Sequence, residues 1–252
     1  MSKRVGLLVG LTVAAIAAAI LCPPVPQGEA YHRFADQRAL LGVANFADVA
    51  SNAGFVVAAV LGLAAVAAPR TRFERAAERV PYAFFFSGLL LTAAGSAYYH
   101  LAPDNERLYW DRLPMTVAFM SLVATQIVER VSLRAGLALL APMLLAGAAT
   151  VQYWIATERA GAGNVVPYGV LQLYAVVVAA VIAWSHPSRY TRARDIYWVF
   201  AAYVAAKAFE ALDARIFDLG GIVGGHALKH LAAAASGLIV WNMLRRRAPV
   251  GA

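Results

Sequence analysis

Ser96 and His100 stand four residues apart, as do His226 and His230. On a helix that spacing puts both members of a pair on one face. Asp111 follows His100 across a short polar stretch that reads as a turn between two helices. All five residues lie near the ends of segments that otherwise carry almost no charge, where ionisable groups are costly and usually functional. Three imidazoles converging on one open position are the ligand set of a hydrolytic zinc site, so His100, His226 and His230 are the candidate metal ligands. Such sites lower the pKa of water to about 7. Asp111 is the candidate proton shuttle, and Ser96 is a candidate donor to a developing oxyanion. Each residue taken alone has a plainer reading. Asp111 would serve as a helix N-cap ahead of Pro114, and Ser96 as packing glue beside Gly95. A histidine pair at this spacing would also ligate haem b.

The elements that must position these groups are membrane helices. Of the 252 residues 61% are hydrophobic and only 14% are charged, against about 25% charged in an ordinary soluble domain. The apolar runs are continuous rather than alternating, which predicts helices and excludes a barrel. We read eight spans, at about 5–22, 47–68, 80–101, 113–129, 135–156, 166–185, 195–212 and 220–244. The seventh and eighth score poorly on hydropathy because they hold Lys207, Glu210, His226, Lys229 and His230. Polar residues lining a bundle interior have that effect without excluding a span. Lys207 and Glu210, three apart, can pair on one face.

The net charge of +8 does not point to nucleic acid. With the N-terminus inside, most of the 22 basic residues fall in the inner segments, among them Arg70, Arg72, Arg75, Arg79, Arg189, Arg192, Arg194, Arg245, Arg246 and Arg247. This asymmetry matches eight helices with both ends cytoplasmic, the arginines orienting the chain and meeting anionic headgroups. All five candidate residues then share one depth near the outer face. The first segment resembles a signal peptide but lacks a clear small-residue cleavage site, so we read it as a retained helix. Leu21 is too large for a lipoprotein signal ending at Cys22, which as a lone cysteine excludes an intrachain disulfide. The loop between Pro23 and Phe46 is expected to fold over the outer mouth. Tyr98, Tyr99, Tyr109, Trp110, Tyr153, Trp154 and Tyr168 are expected to form an interfacial belt. His32 and His186 read as satisfied interfacial groups.

Three segments carry a resemblance. Gly95-Ser96-Ala97-Tyr98-Tyr99-His100, Trp110-Asp111-Arg112-Leu113-Pro114-Met115 and Gly225-His226-Ala227-Leu228-Lys229-His230 resemble the three motifs of the alkaline ceramidase family. That family belongs to a membrane hydrolase superfamily with the adiponectin-type receptors and a GPI-anchor remodelling lipase. Asn45-Phe46-Ala47-Asp48-Val49-Ala50-Ser51-Asn52 is similar to its first-helix segment. The resemblance, over about residues 45 to 244, implies a seven-helix core with a zinc ion held by His100, His226 and His230 near the outer face. It implies Asp111 and Ser96 beside the metal water, and cleavage of the amide bond of ceramide to a sphingoid base and a fatty acid. Some positions depart from the family pattern. Asn45 stands where a glutamate is expected and Asp48 where an asparagine is common, which argues against a calcium requirement. Arg112 replaces the usual acid, and Lys229 stands where an aromatic residue is common. A cation at 229 must point away from the metal or toward a carboxylate such as Glu210 or Asp213.

The reading is therefore an all-α polytopic membrane helical bundle in a single integral domain. Residues 1–46 form an extra N-terminal helix and outer loop, and 47–244 form the seven-helix hydrolase core. The expected activity is zinc-dependent hydrolysis of a ceramide-like lipid amide drawn from the bilayer of the cell membrane, with no nucleic-acid or protein partner inferred. The alternatives are a non-enzymatic zinc-containing lipid receptor of the same superfamily and a haem-binding electron carrier.

Overall fold

The computed structural model describes residues 3–251. Every regular element among them is helical: α1 (Lys3–Leu21), α2 (Phe46–Ser51), α3 (Ala53–Ala67), α4 (Arg79–Leu101), α5 (Asn105–Arg130), α6 (Leu133–Arg159), α7 (Val166–Ser185), α8 (Asp195–Ala211), α9 (Asp213–Gly220) and α10 (Gly225–Arg246). Consecutive helices pack side by side from α3 through α6, and α7 lies against α5. α10 inserts between α3 and α8, which closes the bundle. α7 and α8 touch least, so the wall is thinnest there. α1 packs outside the ring on α7, where Leu8 and Leu11 meet its apolar face and Thr12 Oγ1 lies 3.0 Å from the Tyr174 hydroxyl.

Six stretches are long and apolar enough to cross a membrane: Lys3–Leu21, Phe46–Ala67, Ala76–Leu101, Leu133–Arg159, Val166–Ser185 and Gly225–Arg246. Such a chain is a multi-pass membrane protein. The other two expected spans differ for separate reasons. α8 has only 17 residues. α5 has 26, but it carries Glu106, Arg107, Asp111 and Arg112 in its first two turns. α5 begins at Asn105 rather than 113, because Asp104 caps it by accepting from the Arg107 amide at 2.7 Å. Asp111 is thus not the N-cap but lies inside the helix, free for other use. The expected span at 47–68 is divided at Asn52 into α2 and α3, and the last is α10, starting at Gly225 after the short helix α9.

The end of the bundle away from the histidines is held by buried charge. Glu129 accepts from the Tyr82 hydroxyl at 2.7 Å and pairs with Arg247, which is 2% exposed. The Arg247 guanidinium stacks on Tyr190 at 4.0 Å, and Tyr190 bonds Glu78. Arg189 donates to the last carbonyls of α5, at Val128 (2.8 Å) and Glu129 (3.2 Å). Arg130 does the same for Ala183 and His186 at the end of α7. Several arginines read from sequence as orienting charges therefore also satisfy helix C-termini, where cations are favourable.

Removing one partner of a buried ion pair leaves the other uncompensated and costs about 3–5 kcal/mol. Arg247→Ala should lower the apparent melting temperature of detergent-purified protein sharply. The Arg247→Met, Glu129→Leu double variant should recover part of the loss. Equal stability of Arg247→Ala and wild type would show that the pair holds nothing.

Candidate functional site

Two glycines allow the site to form. Gly95, just before Ser96, lies where α4 crosses α5, and a Cβ there would overlap the carbonyl oxygen of Trp110. Gly225, just before His226, lies against the carbonyl of Phe209 in α8 and would overlap it in the same way. Only a residue without a side chain permits such backbone approach. The first contact sets Ser96 and His100 against Asp111, and the second sets α10 into its groove.

The three histidines meet. The ring centroids of His100, His226 and His230 lie 4.8, 4.9 and 5.0 Å apart pairwise. One ligand nitrogen from each falls within 4.8 Å of the others, and all three residues are buried. Both ring nitrogens of His100 and Nε2 of His226 have no hydrogen-bond partner. Buried polar atoms are otherwise almost always paired, so each of these rings has a nitrogen lone pair to offer at the point the three share. His230 is oriented from behind. Ser51 donates its hydroxyl proton to the carbonyl of Asp48 at 2.9 Å, so its oxygen must accept from His230 Nδ1 at 2.8 Å. The proton on His230 is thereby held at Nδ1 and the lone pair at Nε2, the arrangement that supporting groups impose on metal-ligating histidines. Three neutral imidazoles with free lone pairs suit a divalent transition metal.

Phe34 covers this cluster, its ring centroid 4.6 Å from His100 and 4.4 Å from His226. The strap that carries it, expected to fold over the mouth, is tied down by Asp213. That carboxylate accepts from the amides of Ala35 and His226, both at 2.9 Å. Arg38 bonds Asp36 and donates to the carbonyls of Gly221 (2.9 Å) and Ile222 (2.7 Å). Its guanidinium holds the Asp36 carboxyl below the ordinary value of 3.8. The contribution of this pair is therefore complete at neutral pH and is lost only as pH falls below that value. Asn45, in the left-handed region at φ 45°, donates to the carbonyl of His100 at 2.8 Å, closing the end of α4.

A cavity of about 470 Å³ runs from the site between α5, α7 and α8, within the range of small-molecule sites. Its walls are apolar, with Phe119, Leu122, Val176, Val199 and Phe200 among them. Ser96, Asp111 and His230 lie at its polar end. The Ser96 hydroxyl is buried beside the Asp111 carboxylate. Lys229 reaches Glu210 at 3.2 Å, and Lys207 pairs with the same carboxylate. The cation between His226 and His230 is thus turned to an acid, as its position required.

The structure brings together all five residues chosen from sequence. His100 and His226 lie beneath Phe34, whereas His230, Ser96 and Asp111 face the cavity. Ser51 and Phe34 carried no site role in the sequence reading, and Asp213, expected as a partner for Lys229, instead holds the Ala35 and His226 amides, because only the fold shows what a serine, an aspartate or a phenylalanine leans on. The expected aromatic belt divides. Tyr98, Trp110 and Tyr153 are exposed, but Tyr99, Trp154 and Tyr168 are buried core residues. His32 is satisfied by Tyr99 and Asn105, at 2.9 and 3.0 Å.

A multi-helix membrane bundle that converges three free imidazoles on one point, beside a buried serine and a carboxylate at the head of an apolar cavity, has the form of an intramembrane hydrolase. A family model described as Ceramidase matches residues 39–212, well over half of the 252. The chain belongs to the Ceramidase family. The match includes Ser96, His100 and Asp111 and ends before α10, which carries His226 and His230. No curated protein matches the chain.

Loss of a supporting group typically weakens metal affinity about 10- to 100-fold. Ser51→Ala should do so with the fold retained, measured by competition with a chelator for zinc. Affinity equal to wild type would mean that Ser51 does not orient His230. Arg38→Ala should expose the strap, read as new protease cleavage between residues 33 and 45 at neutral pH.

Proposed function

We propose that this protein is a zinc-dependent intramembrane amidase that cleaves ceramide or a ceramide-like lipid to a sphingoid base and a fatty acid. The observation that carries the reading is the cavity itself: an apolar passage against the thinnest part of the helix wall, ending at Ser96, Asp111 and the histidine cluster. A two-tailed lipid can reach such a site sideways, with its tails never leaving the bilayer.

His100, His226 and His230 would hold the zinc, whose chemistry when bound is to polarise water and the amide carbonyl. Three nitrogens converging on one point favour a single ion over haem, whose ring would have to pass between two of them. Asp111 takes the proton from the attacking water and returns it to the amide nitrogen as the C–N bond breaks. One water is consumed, a carboxylic acid and an amine leave, and Asp111 ends as it began. Ser96, beside Asp111, turns its hydroxyl to the carbonyl oxygen as negative charge develops there. Phe34 keeps bulk water from the histidines, so these electrostatic interactions act at low dielectric.

The arrangement in the membrane belongs to the same proposal. α5 and α8 complete eight spans. Residues 47–244 form the seven-helix core and residues 1–46 an added helix and strap. Arginine placement puts both ends in the cytoplasm and the site near the outer face of the cell membrane.

His226→Ala should abolish both zinc binding and ceramide hydrolysis in a protein that still expresses. Asp111→Asn should keep its zinc and lose about 10²- to 10⁴-fold in kcat. Removal of zinc by chelator should abolish hydrolysis, and restoring it should bring activity back. Full activity in His226→Ala would sink the proposal. Zinc and lipid binding without turnover would instead mark a receptor.

A further inference from the structure

Arg112 is a buried cation without an acid. It is 5% exposed and lines the cavity one residue from Asp111. Its Nη2 donates to Gln27 Oε1, and its guanidinium lies over the rings of Trp154 (4.2 Å), Tyr168 (4.9 Å) and Tyr31 (5.4 Å). Its Nη1 is buried and has no hydrogen-bond partner. Among the described residues no carboxylate lies within 4 Å of its nitrogens, whereas Lys207 and Lys229 share Glu210. At the other end of the bundle Arg247 also stacks on aromatic rings, but it pairs with Glu129. The cavity lining therefore holds three cations, Arg112, Lys207 and Lys229, against two carboxylates, Asp111 and Glu210.

An uncompensated charge in a low-dielectric interior is expensive. Aromatic faces offset part of that cost without neutralising it. The rings also fix the plane of the guanidinium, so its open edge points in one direction. A planar fork of this kind matches phosphate, sulfonate or carboxylate oxygens with two parallel hydrogen bonds. We propose that Arg112, set by Gln27 and the Tyr31–Trp154–Tyr168 cage, selects lipid amides whose polar end carries an anionic oxygen group. This rests on the proposed lipid-amidase reading and names the substrate class within it. The anion sits beside Asp111 at the polar end of the cavity, and the tails run toward Leu122 and Val199. A neutral ceramide would offer Nη1 a hydroxyl but leave the charge unbalanced.

The test is lipid binding to the full chain, purified in detergent and stripped of metal with EDTA, so that neither turnover nor phosphate–zinc contact contributes. Ceramide 1-phosphate and ceramide with the same chains are titrated, with tryptophan fluorescence reporting on Trp154. The phosphorylated lipid should bind about tenfold tighter or better. Arg112→Gln should reduce that ratio to about one, and Arg112→Lys, which keeps the charge but not the fork, should fall between. Equal binding of the two lipids by wild type overturns the assignment, even if Arg112→Gln does not fold. So does an undiminished preference in a folded Arg112→Gln. Inorganic phosphate that reproduces the whole response at the lipid's concentration would mean a free-anion site and also overturns it. Zinc-loaded protein then separates the two readings. Anion preference without hydrolysis of either lipid keeps the Arg112 assignment and removes the amidase. Hydrolysis without the preference does the reverse.

Discussion

The approach of α4 to α5 at Gly95 is the contact on which the site depends. The backbone of one helix rests on the carbonyl of the other, so Ser96 and His100 on α4 are held at the level of Asp111 on α5. Gly225 repeats the device where α10 meets α8. Both glycines directly precede a residue of the site, Ser96 and His226. In a bilayer, where lipid tails are as apolar as leucine, helices associate through close packing more than through solvent exclusion. Small residues at these crossings therefore set the depth at which the polar side chains lie, and with it whether five groups from three helices can face one another.

Given that scaffold, the polar interior divides into two kinds. At the end away from the histidines every charge is answered: Glu129 by Arg247 and Tyr82, Glu78 by Tyr190 and Arg189, and the carbonyls ending α5 and α7 by Arg189 and Arg130. At the histidine end several groups are left unanswered: both ring nitrogens of His100, His226 Nε2 and Arg112 Nη1. At the first end every charge has a partner of opposite sign or a hydrogen bond, although Arg247 Nε and Nη2 make none of their own; at the second the open atoms gather around the histidines and the cavity, where a bound group would answer them. The supporting residues share that division. Ser51, Asp213 and Asn45 spend their hydrogen bonds on orienting His230, seating His226 and closing the helix that ends in His100.

Lys229 shows how context changes the meaning of a residue. Between two histidines of the cluster it would oppose a metal cation there, but the helix carries it round to Glu210 of α8, which also holds Lys207. Arg112 has no such partner. The same sequence feature, a cation beside a site residue, is thus neutralised in one case and left available in the other. The difference lies in what the neighbouring helix presents.

Helical class and pairing by face were legible in the residues themselves. Unbroken apolar runs admit only helices in a bilayer, and the four-residue spacing of Ser96 with His100 and of His226 with His230 fixes each pair on one face whatever surrounds it. Helix limits were less legible. Asp104 rather than Asp111 caps α5, and a capping hydrogen bond depends on local backbone that two nearby aspartates offer equally well. The burial of Tyr99, Trp154 and Tyr168 was not legible, since an aromatic residue near a helix end suits either core or interface. By itself the sequence determined the helices, the histidine set and the carboxylate that could serve it, because these follow from periodicity and side-chain chemistry. Only the tertiary structure decided that His100 meets a pair more than a hundred residues away, that Phe34 covers them, that Ser51 fixes the proton of His230 and that Arg112 faces the cavity unpaired. Those outcomes depend on which helices touch and how closely, and that is settled by packing across the whole bundle rather than by any segment of it.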